Sequence, residues 1–199
     1  MKRILVSLMA LLASPLQAQQ THSTSVASAF VEVANAACLA EARGTLALGR
    51  SPEQDESVIK GLGLTYGIGG RNYDRFGAAS SMLNRAIMGS RAVGDDLIVL
   101  ATGGASPECK VFLLQPKAEG LRDSIAVALT VSTPKWRELP FTQSQLGLQV
   151  TKQSFISRDA AGTPFLLNLI FIPQRSDSEV RVMIGITQVP AHVAIPEGY

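Results

Sequence analysis

Two pairs in this 199-residue chain match Ser-x-x-Lys: Ser57 with Lys60, and Ser132 with Lys135. At that spacing a lysine one helical turn away can take the proton from a serine nucleophile. A serine-dependent hydrolase using Ser57 and Lys60 is therefore one reading of the chain. The pattern is only two letters wide, and no Lys-Thr-Gly or Lys-Ser-Gly follows it. Pro134 breaks any helix through the second pair. Ser106, in Gly104-Ala105-Ser106-Pro107-Glu108, is half of a nucleophile elbow, with Glu108 where the second glycine belongs.

Other chemistries find less support. His22 and His192 are the only histidines, and both fall near the ends of the chain, where tails are expected. Neither has the closely spaced His or Cys neighbours of a zinc site, and there is no Asp-rich calcium loop. No metal or cofactor site is expected. Gly61-Leu62-Gly63-Leu64-Thr65-Tyr66 fails the dinucleotide fingerprint, because Tyr66 stands where the third glycine is needed. The acidic run Glu53, Asp55, Glu56 follows Ser51-Pro52, which is helix-start chemistry: a capping serine, proline at the first position and negative charge at the positive end of the dipole.

The strongest charge asymmetry is Arg71, Arg75, Arg85 and Arg91, with Asp74 as the only acid among them. Tyr73 and Phe76 lie in the same stretch. Arginine and aromatic residues together suit an anion pocket or the rim of a protein-binding surface. These six residues are the candidate binding surface.

Compartment follows from the first 18 residues and the cysteines. Met1-Lys2-Arg3 is basic, residues 4–13 are almost wholly apolar, and Leu16-Gln17-Ala18 ends in a small residue. That is the layout of a secretory signal peptide, with a mature start near Gln19. Removing Lys2 and Arg3 from the 18 basic residues balances them against the 16 acidic ones. A near-neutral mature chain offers no basic surface for nucleic acid, and no nucleic-acid partner is expected. The most apolar later segment is residues 165–172, too short to span a bilayer, so no membrane anchor is expected in the mature chain. Cys38 and Cys109 are the only thiols, and in an oxidising compartment they read as a disulfide.

The elements that must carry these residues come from periodicity. Val26, Phe30, Val33, Ala37 and Ala40 recur at helical spacing from about Ser25 to Arg43. A short helix follows from Ser51 to about Gly61. Leu62, Leu64, Tyr66 and Ile68 alternate like a strand weakened by glycines, and residues 69–81 read as a loop. Residues 82–93 could form helix or strand, with strand favoured because a compact sheet follows, and strands are expected at 97–101 and 109–113. A helix should run from Pro116 to Val131, and strands from about 147 to 157, 164 to 172 and 179 to 189, with an irregular tail from about 190. Short-linked consecutive strands pair antiparallel.

The expected class is α+β: an antiparallel sheet of about five to seven strands against two or three helices, in a single domain after the leader. The expected function is that of an exported, periplasmic or secreted, non-catalytic binding module. Its partner would be another envelope protein or a small anionic ligand. The alternatives are the Ser57/Lys60 hydrolase and a structural envelope component.

Overall fold

The computed structural model describes residues 15–46, 48–103, 108–114, 120–140, 150–173, 178–195 and 197–199. Its frame is one antiparallel sheet in the order β1-β2-β3-β4-β8-β7-β6-β5. The strands are β1 (Thr65–Tyr66), β2 (Ile87–Val93), β3 (Asp96–Thr102), β4 (Lys110–Leu114), β5 (Arg137–Glu138), β6 (Thr151–Arg158), β7 (Pro164–Phe171) and β8 (Val180–Gln188). The class is α+β. The sheet exceeds the expected size by β5, an edge strand of two residues that is too short to show a period. Two four-stranded meanders meet where β4 pairs with β8, Phe112 opposite Met183. At least one helix precedes each meander.

Helix α1 (Pro15–Val33) continues through a π-helical stretch, Ala34–Leu39, and a last α-turn, Ala40–Ala42. It starts well before Ser25. Residues 19–24 are polar but contain no glycine or proline, and His22 gains a partner on the sheet. Val26, Phe30, Val33 and Ala37 are buried, as the periodicity requires. By length and composition His22–Ala42 could cross a membrane, which corrects the expectation that no such segment follows the leader. Yet 61 % of its most apolar window is buried inside the fold, as in a core helix.

Cys38, on the π-helical stretch, is bonded to Cys109, just before β4, with Cα atoms 5.1 Å apart. The helix is thereby fixed to the first meander beside β4, the strand that borders the second. Helix α2 (Pro52–Gly61) starts as its sequence requires: Ser51 accepts from the N–H of Gln54 at 3.3 Å. Beyond it the expected strand shrinks to β1, bracketed by Gly63 and Gly67 at positive φ. The expected loop at 69–81 contains α3 (Gly70–Asp74) and much of a 3₁₀ helix, Gly77–Leu83. Helix α4 (Leu121–Val131) ends before the cis peptide at Thr133-Pro134. Its expected start at Pro116 lies outside the described residues, as do Ser106 and residues 147–149 of the expected β6.

Two apolar layers hold the sheet. One face packs α1, α2 and α4 against Ile98, Leu100, Val111, Leu113, Leu167, Leu169 and Ile184. On the other face, Ile68, Phe76 and Leu83 cover Leu97, Val99, Phe112 and Leu114. All seven residues of β3 are buried, because β3 is covered on both sides. This explains its unbroken apolar run.

Candidate binding site

The arginine-rich stretch does not form one surface. Arg71 and Tyr73 are exposed on α3, and the Tyr73 hydroxyl donates to the carbonyl of Ser80 at 3.4 Å. Arg75 is half-buried, with Nε 2.8 Å from Glu179 Oε2, so an acid from the start of β8 supplies the counter-charge that the local sequence lacks. Phe76 is fully buried and meets the Phe112 ring edge-on at 5.5 Å. It is a core residue rather than part of a binding surface, because α3 delivers it against the sheet. Arg85 is exposed at a φ of 60°. Arg91 reaches Glu32 of α1 at 3.5 Å, on the opposite face of the sheet from Phe76. The structure thus brings together Arg71, Tyr73 and Arg75 on one short stretch and separates them from Phe76 and Arg91.

Neither Ser-x-x-Lys pair comes together in one concavity among the described residues: Ser132 and Lys135 line two different ones. Ser57 is exposed, and the exposed Lys60 ammonium pairs with Glu56 at 2.7 Å, one turn back on the same helix. Periodicity alone explains that outcome, since neither residue falls on the face carrying Ile59. Ser132 Oγ lies within hydrogen-bond distance of the carbonyls of Leu129 and Pro134, so it finishes α4. Asp55 is buried and accepts the N–H of Gly49 at 2.8 Å, which ties the preceding loop to α2. His22 is not in a loose tail: its Nε2 lies 2.9 Å from Oδ2 of the buried Asp96.

Two concavities flank the segment that joins α4 to β5. The first is an open groove of about 500 Å³ between α1 and the end of α4. Its α1 wall is Ser28, Val31, Glu32, Asn35, Ala36, Leu39 and Arg43, a stripe at helical spacing. Ala128, Val131 and the turn 132–134 form the other wall. Val31, Leu39 and Ala128 are buried, whereas Val131 on the rim is 71 % exposed. Val127, one turn back from Val131, is 61 % exposed. Glu32 and Arg43 stand at opposite ends of the stripe, and the Arg43 guanidinium lies 5.4 Å from the centre of the Phe165 ring. The wide π turn, a feature that recurs at functional sites, falls in the middle of this wall.

The second concavity, of about 460 Å³, opens across the same segment between Lys135, Arg137 and Arg158. Trp136 separates the two. Its ring is buried, its indole N–H donates to Asn35 Oδ1 at 2.9 Å, and its backbone N–H donates to the carbonyl of Leu129 at 3.1 Å. The first bond ties the α4–β5 segment to α1 and the second ties it to the end of α4. Trp136 falls between the expected helix and strands, and no local pattern singles out Asn35, Arg137 or Arg158. The one local signal was a cation on each side of the only tryptophan. Arg158 and Tyr199 join them only through strand pairing and tail docking. No known family model, curated protein or solved structure matches the chain.

Proposed function

We propose that this chain is an exported binding module that captures a short extended peptide segment of another envelope protein in the groove between α1 and α4. The observation that carries this reading is the groove itself, with its buried apolar floor, exposed valine rim and opposite charges at its two ends. From Glu32 to Arg43 the helix rises roughly 15 Å, which matches about five residues of extended chain. An occupant with an apolar centre, a cation at the Glu32 end and an anion at the Arg43 end would complement it. Such segments bind largely through side chains seated in pockets along the groove.

Export is supported by the leader-like start of the sequence and by the Cys38–Cys109 bond, which persists in an oxidising compartment such as the periplasm or the medium. The hydrolase reading loses its support, because a nucleophile and its base must share a site with the substrate. Ser57 and Lys60 instead face solvent on α2. Assembly through strand edges is disfavoured by the two-residue strands that cap each side of the sheet.

The test is selection of displayed peptides on the mature, oxidised protein, followed by titration of the best binder against Val131→Asp. A charge in the apolar rim should weaken binding roughly tenfold to a hundredfold. Val131 is mostly exposed, so the melting temperature should not move. Equal binding by wild type and variant would place the interaction elsewhere on the molecule.

A further inference from the structure

We propose that Lys135, Arg137 and Arg158 form a second site, for a small aromatic carboxylate or phosphate, and that the tail residues Gly198 and Tyr199 compete for its guanidiniums from the pocket wall. The pairing of β5 with β6 builds the site. Arg137 stands opposite Ile156, and Arg158 is two residues further along the same strand. Side chains two apart share a face, so both guanidiniums rise on one side of the strand pair with Ile156 between them. The resulting pocket holds three cations and one carboxylate, Glu138, which accepts from Gln153 Nε2 at 3.2 Å.

What engages the two arginines indicates what the pocket would take. Arg137 donates to the main-chain oxygen of Gly198, and its guanidinium lies 5.6 Å from the centre of the Tyr199 ring. Arg158 donates to the main-chain oxygen of Tyr199 at 3.0 Å and to that of Gly162 at 2.9 Å. Among the described residues, neither guanidinium pairs with an acidic side chain. The tail therefore presents acceptor oxygens beside an aromatic ring, the pattern that two arginines recognise by forked hydrogen bonds and stacking. A free ligand with a full oxyanion on an aromatic ring would offer both features without the tail's conformational tether. With Tyr199 as one wall, a free volume of about 460 Å³ remains, which suits a small molecule.

Trp136 is the only tryptophan and lines this pocket, so its emission reports occupancy without a label. The experiment titrates the mature, oxidised protein with phenyl phosphate and phenylacetate at fixed ionic strength. Inorganic phosphate tests charge alone, and cyclohexylacetate tests a carboxylate without an aromatic ring. The aromatic oxyanions should give a saturable change at lower concentration than either control. A variant lacking residues 197–199 should bind roughly tenfold more tightly, as expected when a closed state that occludes most of the population is removed. Arg137→Gln/Arg158→Gln should abolish the response with an unchanged far-UV spectrum. Should that double variant not fold, Arg137→Gln alone serves, because Arg158 then keeps its contact with Gly162. Saturation that is absent in both wild type and the truncated chain, or unchanged in the arginine variants, overturns the site. Truncation that leaves affinity unchanged or weakens it overturns the competitor role. Equal response to cyclohexylacetate overturns the aromatic preference.

Discussion

Each half of the sheet is a four-strand meander with helix before it, yet the two are held in different ways. In the first half α1 is fastened to its own strands at several points. His22 meets Asp96, Glu32 meets Arg91, Glu41 accepts from Thr102 Oγ1 at 2.7 Å, and Cys38 is bonded to Cys109. In the second half α4 buries Leu121, Ile125, Ala128 and Leu129 but leaves Val127 and Val131 in solvent. Its link onward runs through Trp136 to Asn35, which belongs to α1. The first half is thus the scaffold, and the second uses that scaffold to present a groove and a pocket. A binding surface can expose apolar groups only where neighbouring elements carry the stability, and here the division is between the two meanders of one sheet.

The largest break in this comparison is removal of the covalent tie. Cys38→Ala/Cys109→Ala opens a 71-residue loop, for which chain entropy gives a loss of about 4 kcal/mol. Urea unfolding should show it as a lower midpoint, whereas Val127→Ala on α4 should shift the midpoint hardly at all. A double variant as stable as wild type would mean that the first half does not depend on its tie. A smaller effect should come from Gly89→Ala. A Cβ on Gly89 would lie 2.6 Å from Ile59 Cγ2 and 3.2 Å from Leu64 Cβ. Ile59 is fully buried and cannot swing away, so overpacking of about 1–3 kcal/mol is expected. In an Ile59→Ala background the penalty should shrink. If it stays the same size, the strain arises somewhere other than the α2–β2 contact.

The scaffold half shows in the sequence more clearly than the presenting surface does. The Cys38–Cys109 pair, the Ser51 cap, the buried run of β3 and the alternation of Val180, Val182, Ile184 and Ile186 all follow from local pattern or from a unique pairing. The start of α1 was hidden, because residues 19–24 carry no apolar stripe, and their helix continues into a segment that packs elsewhere. The 3₁₀ turns were hidden in a glycine- and serine-rich stretch that reads as loop. The concavities beside Trp136 depend on contacts far apart in sequence: Asn35 with Trp136, and Arg137 with Tyr199. No local period reports such contacts. The arginine cluster misled for the same reason in reverse: its members are close in sequence, but the sheet sends Phe76 and Arg91 to opposite faces.

The smallest effect tests the outermost fastening of the scaffold half, where α1 meets the β2–β3 turn. Gly94 makes that turn at a φ of 62°, and a Cβ there would lie 2.8 Å from the His22 ring, so ring and turn are in direct contact. Asp96 is only 2 % exposed, and burial raises its pKa above the ordinary carboxylate value, opposed by the hydrogen bond and charge of His22 and, more weakly, by Arg75, while Asp95 adds to the rise. The folded state therefore holds its proton to higher pH than the unfolded chain does. Between the ordinary value and the raised one the folded state binds more protons, so this group makes stability fall as pH climbs through that window. Asp96→Asn keeps the shape and a partner for His22 but removes the titration. Urea midpoints measured across the acidic range should show the variant gaining on wild type as pH rises through the window, with the gap constant above it. A gap that instead narrows with rising pH would mean that the ion pair with His22 outweighs the burial of the carboxylate, and α1 would then be held at this end by charge rather than by packing.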